Sequence, residues 1–359
     1  MDDCSYTTSP LGLPPEDLQR CHDVLGMSAW QALAGQRLFF TGGTGFVGKW
    51  MLAGLLDADR RLGLDCEITV LSRNPQAFLR DWPALRDRVE VLTGDVQDLA
   101  LPCSTFDIVI HAATDVALYS SPRQTFSTCV EGTRRILTLA EASGARKMLL
   151  VSSGAVYGAL PLGMTKVPET YLGGPDPMLA SSAYAEGKRV SEWLACRAAD
   201  EGLHVGIARV FALVGPHLPL DCHFAIGNFV KAVLEGENIV IEGDGTPYRS
   251  YLYAADMAAW LWAVLLRGRS ATAYNIGSEQ GLSIAQLASR VRDLLAPTTT
   301  VHVCKQPERG APVQYYVPDS TRARQELQLP PPLGLDEAIV RTAQWYSQRL
   351  SAKTARASE

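Results

Sequence analysis

No stretch of this 359-residue chain is apolar for long enough to cross a bilayer. A helical span needs about 20 residues. The longest apolar run, "MAAWLWAVLL" at 257–266, is far shorter and follows Asp256, so it predicts a buried helix. Nor is there an excess of basic charge. Lys and Arg total 33 against 38 Asp and Glu, a net charge of -5. That balance argues against nucleic acid or a membrane surface as partner, since both select basic patches. The eight cysteines form no C-x-x-C, and a chain of this size needs no disulfide staples. The six histidines show no zinc spacing, so no metal is expected; "DCH" at 221–223 reads as a loop turn entering the helix "FAIGNFVKAVLEG". The first residues, MDDCSYTTSP, lack the basic-then-apolar order of a secretory leader. These absences predict a reduced, cytoplasmic globular protein. Internal repeats and low-complexity tracts are also missing.

What is present is an alternation of strand and helix. Residues 1–35 read as an extension, in which "PPEDLQRCHDVL" has the proline-then-acid start of a helix. Its expected role is packing or a dimer contact. From residue 36, "RLFFT", "EITVLS", "VEVLTG", "DIVIHAA", "KMLLVSS" and "LHVGIARV" are short strands rich in Val, Ile and Leu, with helical stretches between several of them. Such near-continuous apolar strands predict an α/β fold, a doubly wound parallel sheet covered on both faces. The sheet domain is expected at 36–211, with a return segment at about 255–280. A smaller substrate-binding part is expected at 212–254 and 281–350, and a tail at 351–359.

The stretch "TGGTGFVGKW" at 41–50 stands between the first strand and the first long helix. Gly42, Gly45 and Gly48 are spaced as a dinucleotide-binding turn requires. One permits the tight turn, one lets backbone approach a pyrophosphate, and one lets helix pack on strand. With Thr44, Phe46 and Val47 they form the expected cofactor cradle of a Rossmann fold. Free N–H groups and a positive dipole end favour phosphate at the helix start. The second strand ends "VLSRNP". It carries Ser72 and Arg73 where an NAD enzyme would place an acid on the ribose 2′-OH, so NADP is favoured over NAD.

Tyr184 and Lys188, in "SSAYAEGKRVSEW", fall on one face of a helix. About thirty residues upstream, "VSSGAVYG" ends a strand with Ser152 and Ser153. A phenol titrates near pH 10, too high for acid–base work at neutrality, and a nearby ammonium and the positive nicotinamide would lower it. Tyr184 is then the expected acid/base at a sugar hydroxyl or carbonyl, with Ser153 on the same oxygen.

With TGGTGFVG, the Asp95 turn, HAA (111–113), SSGAVYG (152–158), YAEGK (184–188), GDGTPYRSYLYAADMA (243–258) and YNIGS (274–278), the chain resembles the extended short-chain dehydrogenases/reductases of the NAD-dependent epimerase/dehydratase family. The resemblance runs from about residue 36 to about 346. It implies nucleotide-sugar substrates and gives Ser153, Tyr184 and Lys188 the catalytic roles, Lys188 also holding the nicotinamide ribose. It places Asp95 and Val96 at adenine, and Ala112 and Ala113, with Thr114, along the cofactor channel. Arg249 and Arg309 resemble arginines that meet a substrate diphosphate, and Asn228 a residue near the substrate nucleotide. It further implies a homodimer through the helices holding "RRILTLAE" and "YAEGKRVSEW".

Departures from the resembled pattern narrow the reaction. The 4,6-dehydratases carry an Asp-Glu pair where this chain has Gly154 and Ala155, and the UDP-glucuronate decarboxylases usually carry a glutamate at the place of Ala155. The sugar 4-epimerases need no extra acid. Cys129 stands where an asparagine is common, and Ala212 where the UDP-galactose 4-epimerase pattern has one. Oxidoreduction at a nucleotide-sugar carbon, C4, is therefore expected, with epimerisation ahead of one-way ketoreduction. Dehydratase or decarboxylase chemistry is the alternative within the family. A non-catalytic NADP-binding regulatory protein is the alternative outside it. A reductase of a non-nucleotide carbonyl would lack convergence of Arg249 and Arg309.

Overall fold

The computed structural model describes residues 11–101, 103–114, 121–222 and 224–357. Residues 1–10 of the extension, His223 of the "DCH" turn and the last two residues of the tail lie outside the described residues. The extension enters as helices α1 (Pro15–Leu25) and α2 (Met27–Gln31), started by Pro15 at N1 with Glu16 and Asp17 behind it. The chain then alternates through β1 (Arg37–Thr41), α3 (Phe46–Leu62), β2 (Glu67–Ser72), α4 (Pro75–Asp81), β3 (Glu90–Thr93), β4 (Ile108–His111), α5 (Pro122–Ser143), β5 (Lys147–Ser153), α6 (Ala183–Asp200) and β6 (His204–Val210). Local chemistry marks the ends. Asn74 and Ser121 cap α4 and α5 ahead of a proline, and Gly63 and Gly144 close α3 and α5 in the left-handed conformation.

The remainder supplies β7 (Leu213–Val214), α7 (Ala225–Leu234), β8 (Ile239–Ile241), β9 (Tyr248–Arg249), β10 (Leu252–Tyr253), α8 (Ala254–Arg267), β11 (Thr272–Ile276), β12 (Leu282–Ser283), α9 (Ile284–Leu295), β13 (Val301–Val303), β14 (Tyr315–Tyr316), α10 (Thr321–Glu326) and α11 (Leu335–Ala357). Among the described residues, seven strands form one parallel sheet in the order β11-β6-β5-β4-β1-β2-β3. The order reverses between β1 and β4, which opens the crevice at their carboxyl ends. This is the expected doubly wound α/β, Rossmann-like fold.

The run "MAAWLWAVLL" lies in α8, and residues 254–265 of that helix are all buried. No helix among the described residues is long and apolar enough to cross a membrane. The extension covers α8 and α3. Leu18, Cys21, Leu25, Trp30 and Leu33 are buried there, and the Trp30 ring lies 5.6 Å from that of Trp262. Polar pins fix the cover. Asp17, fully buried, accepts from the Tyr253 hydroxyl at 2.5 Å and from Arg341 at 2.7 Å. Asp256, also fully buried, accepts from Arg20 and from the Leu333 amide. Residues 11–35 are thus part of the packed body, tying α8 to α11.

Candidate active site

Backbone crowding explains the glycines. Gly42 has φ +71°, and a Cβ there would stand 2.5 Å from the Ala112 carbonyl carbon, so β1 and β4 approach as only glycine allows. A Cβ on Gly48 would lie inside the Gly42 carbonyl. Gly45 is the N-cap of α3, exposed, with its amide on the Gly42 oxygen at 3.0 Å. The first turn of α3 therefore points unpaired N–H groups at the crevice.

A cavity of about 240 Å³ opens there. Gly42, Thr44, Gly45, Ser72, Arg73, Asp95, Val96, Ala112, Ala113 and Thr114 line it, all of them predicted from the sequence. Thr41, Leu71, Gly94 and Thr128 line it too and were not singled out beforehand. Of the predicted cradle, Phe46, Val47 and Gly48 stand behind the wall, as the packing turn of α3. Arg73 is exposed at the cavity rim just beyond β2. Asp95 accepts from the Gln97 amide at 3.0 Å, and Val96 is buried against Gly132.

His111, at the head of "HAA", is buried and braces this wall. Its Nε2 lies 3.1 Å from Thr133 Oγ1, whose proton goes to the Cys129 carbonyl at 2.6 Å. Nε2 must then donate, leaving Nδ1 to accept from Thr41 Oγ1 at 2.8 Å. Thr41 Oγ1 in turn accepts the Ala113 amide at 3.2 Å. Burial, with the Lys188 charge nearby, pushes the imidazole down to about 3, which keeps it neutral.

The chemical groups gather at the end of β5. Ser153 Oγ accepts the Ala155 amide at 3.2 Å and lies 3.4 Å from the Tyr316 hydroxyl. Tyr184, half-buried at the second position of α6, has its phenol raised by burial, and Ser153 is the neighbour that favours its ionised form. Lys188 is almost fully buried and donates to the Val151 carbonyl at 2.8 Å. The sequence led us to expect that its ammonium acidifies Tyr184. In the structure the ammonium bonds the strand carbonyl, and burial is the largest influence on the phenol. Gly187 makes room for Cys129, whose Cβ would be 2.7 Å from a Cβ at 187.

Behind Ser153, Ser152 donates to Glu192 at 2.5 Å, and Arg209 holds the same carboxylate through Nε at 2.9 Å and Nη2 at 2.6 Å. Arg209 also lies over the Tyr157 ring, 4.8 Å from its centre.

Of the expected substrate arginines, Arg249 comes to this end. It is half-buried on β9, with its guanidinium over the Tyr316 ring at 5.5 Å. Arg309 is exposed in the segment between β13 and β14, and Asn228 is exposed on α7. Neither joins the Ser153 cluster through a hydrogen bond or ion pair among the described residues. Tyr316 was not foreseen. Its placement depends on β14 pairing with β9, a non-local register with no local signal.

Comparison with known proteins agrees with this geometry. Residues 38–277 match the model of the NAD dependent epimerase/dehydratase family. UDP-glucuronic acid decarboxylase 5 of Arabidopsis thaliana is 30% identical over 310 residues, 84% of this chain and 87% of the relative. UDP-glucuronic acid decarboxylase 1 of Danio rerio is 28% identical over 88% of this chain and 73% of the relative. Among solved structures, the dTDP-glucose 4,6-dehydratase of Streptomyces venezuelae with NAD bound aligns with a TM-score of 0.74 at 27% identity, covering 87% of this chain and 97% of that one. The UDP-glucose 4-epimerase of Thermotoga maritima aligns at 0.72 and 22% identity over 88% of this chain and 99% of that one, a likeness of fold.

Proposed function

We propose, for a chain that belongs to the NAD-dependent epimerase/dehydratase family, NAD(P)-dependent oxidoreduction at a nucleotide-sugar carbon, C4, with net epimerisation or ketoreduction as the outcome. The observation that carries this reading is the meeting of Ser153 and Tyr184 at the end of β5 with no carboxylate at 154 or 155. Gly154 has no room for an acid, because a Cβ there would stand 2.6 Å from the Phe211 ring. Ala155 offers only its amide.

The residues present fit a dinucleotide. The Gly42–Gly45 turn and the first N–H groups of α3 would hold its pyrophosphate, Asp95 and Val96 the adenine, and Ala112 to Thr114 the path toward Ser153. Arg73, with no acid at the end of β2, favours the 2′-phosphate of NADP. When bound, NAD(P) supplies the hydride acceptor and donor. The protein's own share is positional and protic. Tyr184 takes the proton from the sugar hydroxyl and returns it, Ser153 donates to the same oxygen, and Lys188 keeps α6 on β5. The phenolate of Tyr184 would be favoured by the Lys188 ammonium together with the positive ring of a bound nicotinamide.

Incubating the purified protein with UDP-, dTDP-, GDP- and CDP-sugars and either dinucleotide, with products read by NMR, tests this. Turnover that survives Tyr184→Phe unchanged would sink it.

A second reading is favoured by the curated relatives, which are decarboxylases by name. Oxidation of a hexuronate at C4 makes a β-keto acid. Such an acid loses carbon dioxide readily, without a dedicated protein carboxylate. UDP-glucuronate as substrate separates the two: a UDP-pentose with released carbon dioxide supports decarboxylation, and a C4-inverted uronate supports epimerisation.

A homodimer through α5 and α6 follows the same reading. Phe126 and Trp193, both exposed on these helices, offer apolar surface to a second copy.

A further inference from the structure

Resting on the acid–base reading above, we propose that Tyr316 is a positioning residue that fixes Ser153 as a hydrogen-bond donor, toward Tyr184 while no substrate is bound and toward the substrate oxygen once it is. A serine hydroxyl has one proton and two acceptor sites. One acceptor site of Ser153 Oγ takes the Ala155 amide at 3.2 Å. The Tyr316 hydroxyl, 3.4 Å away, faces the other. At that length the bond is weak, of the kind that shortens once a site is filled.

Both hydroxyls carry a proton, and the donor role is assigned here to Tyr316. The Tyr316 ring packs tilted against Phe211, with centroids 4.7 Å apart and planes at 39°, and the Arg249 guanidinium lies over its face. Half-buried in this way, with desolvation holding its titration above the ordinary tyrosine value, the phenol keeps its proton and has one to give. With both lone pairs of Ser153 occupied, its own proton is left for Tyr184. Ser153 is also the group that favours the Tyr184 phenolate. Without Tyr316 the Ser153 hydroxyl turns freely and donates less of the time. The register that holds this phenol in place is Tyr316 opposite Arg249, between β14 and β9.

Tyr316→Phe keeps the packed ring and removes only the hydroxyl. Tyr184 ionisation can be followed without turnover, by NMR of tyrosine carrying ¹³C at Cζ, with NAD+ bound and the Tyr184 signal assigned from Tyr184→Phe. The expected result is an upward move of the Tyr184 midpoint by about half to one unit, the worth of one hydrogen bond. Ser153→Ala should raise the midpoint at least as far, and adding Tyr316→Phe to it should change nothing more. A midpoint that stays put in Tyr316→Phe, or two shifts that add, overturns the proposal. Where a substrate turns over, kcat should fall about five- to tenfold with KM unchanged, and Tyr316→His should recover part of it. A fall in KM-limited rate alone would overturn the positioning role. Absence of turnover with every sugar nucleotide would instead count against the function proposed above, and the NMR titration would still decide the role of Tyr316.

Discussion

The ammonium of Lys188 donates to the carbonyl oxygen of Val151, 2.8 Å away, and this bond ties helix α6 to the strand end that carries Ser153. Tyr184 lies one helical turn before Lys188, so the same bond places the phenol opposite the serine. Glu192, one turn beyond, favours the charged form of Lys188 against the burial that lowers it. Lys188→Met should therefore loosen the Ser153–Tyr184 pairing as well as remove a charge. The expected outcome is a fall in kcat of about a hundredfold or more, with NAD(P)H affinity reduced too, read by steady-state kinetics and nicotinamide fluorescence.

Tyr184→Phe removes the proposed acid/base and little else. It should lower kcat by roughly 10²–10⁴-fold while dinucleotide binding and the melting temperature stay near those of the parent. Unchanged binding alongside lost turnover separates a chemical role from a structural one.

Gly48→Ala puts a methyl group where the Gly42 carbonyl already stands. A cost of about 1–3 kcal/mol is expected from the overpacking, along with weaker dinucleotide binding as the turn shifts. Thermal unfolding and fluorescence titration measure the two. By contrast, Gly63→Asn meets nothing within 4 Å and should be mild despite its positive φ.

Asp17→Ala strands the buried hydroxyl of Tyr253 and removes one partner of Arg341, which is partly exposed and keeps Glu337. The expected destabilisation is about 1–3 kcal/mol in denaturant unfolding, for a residue remote from the cavity. A near-neutral result would mean that the extension does not hold α8 to α11.

Acid should destabilise the fold through its buried imidazoles. Burial pushes both His111 and His217 down to about 3 from an ordinary 6.5. Each stays neutral in the fold and takes up a proton on unfolding below pH 6.5. The unfolded chain therefore binds more protons between pH 6.5 and about 3, and stability falls as pH falls through that window. The slope is at most about 1.4 kcal/mol per pH unit for each histidine, less for the partly exposed His217. Urea midpoints measured from pH 7 to pH 4 should show it, and His111→Gln should flatten the dependence.

Much of the cofactor side was legible beforehand, because its demands are local. Positive φ at Gly42 and the tight packing at Gly48 act within a few residues, so the glycine spacing carries them. The strands, too, announced themselves by near-continuous Val, Ile and Leu. The extension was legible as a helix start at Pro15, but not as a cover for α8, since an amphipathic helix does not name its partner. The destination of the Lys188 ammonium was not legible for a related reason. Helical spacing puts the two residues on one face, and only the strand beside them decides where the ammonium goes.

By itself, the sequence determined the order of elements, the glycine turn and the chemical types available at the end of β5. Those properties depend on backbone sterics and on side chains a few residues apart. Tertiary structure alone decided that Tyr316 reaches Ser153, that Arg249 comes to the site while Arg309 stays exposed, and that Asp17 is buried between α8 and α11. Each of these depends on surfaces far apart in the chain being closed against one another, and no short stretch of residues encodes that closure.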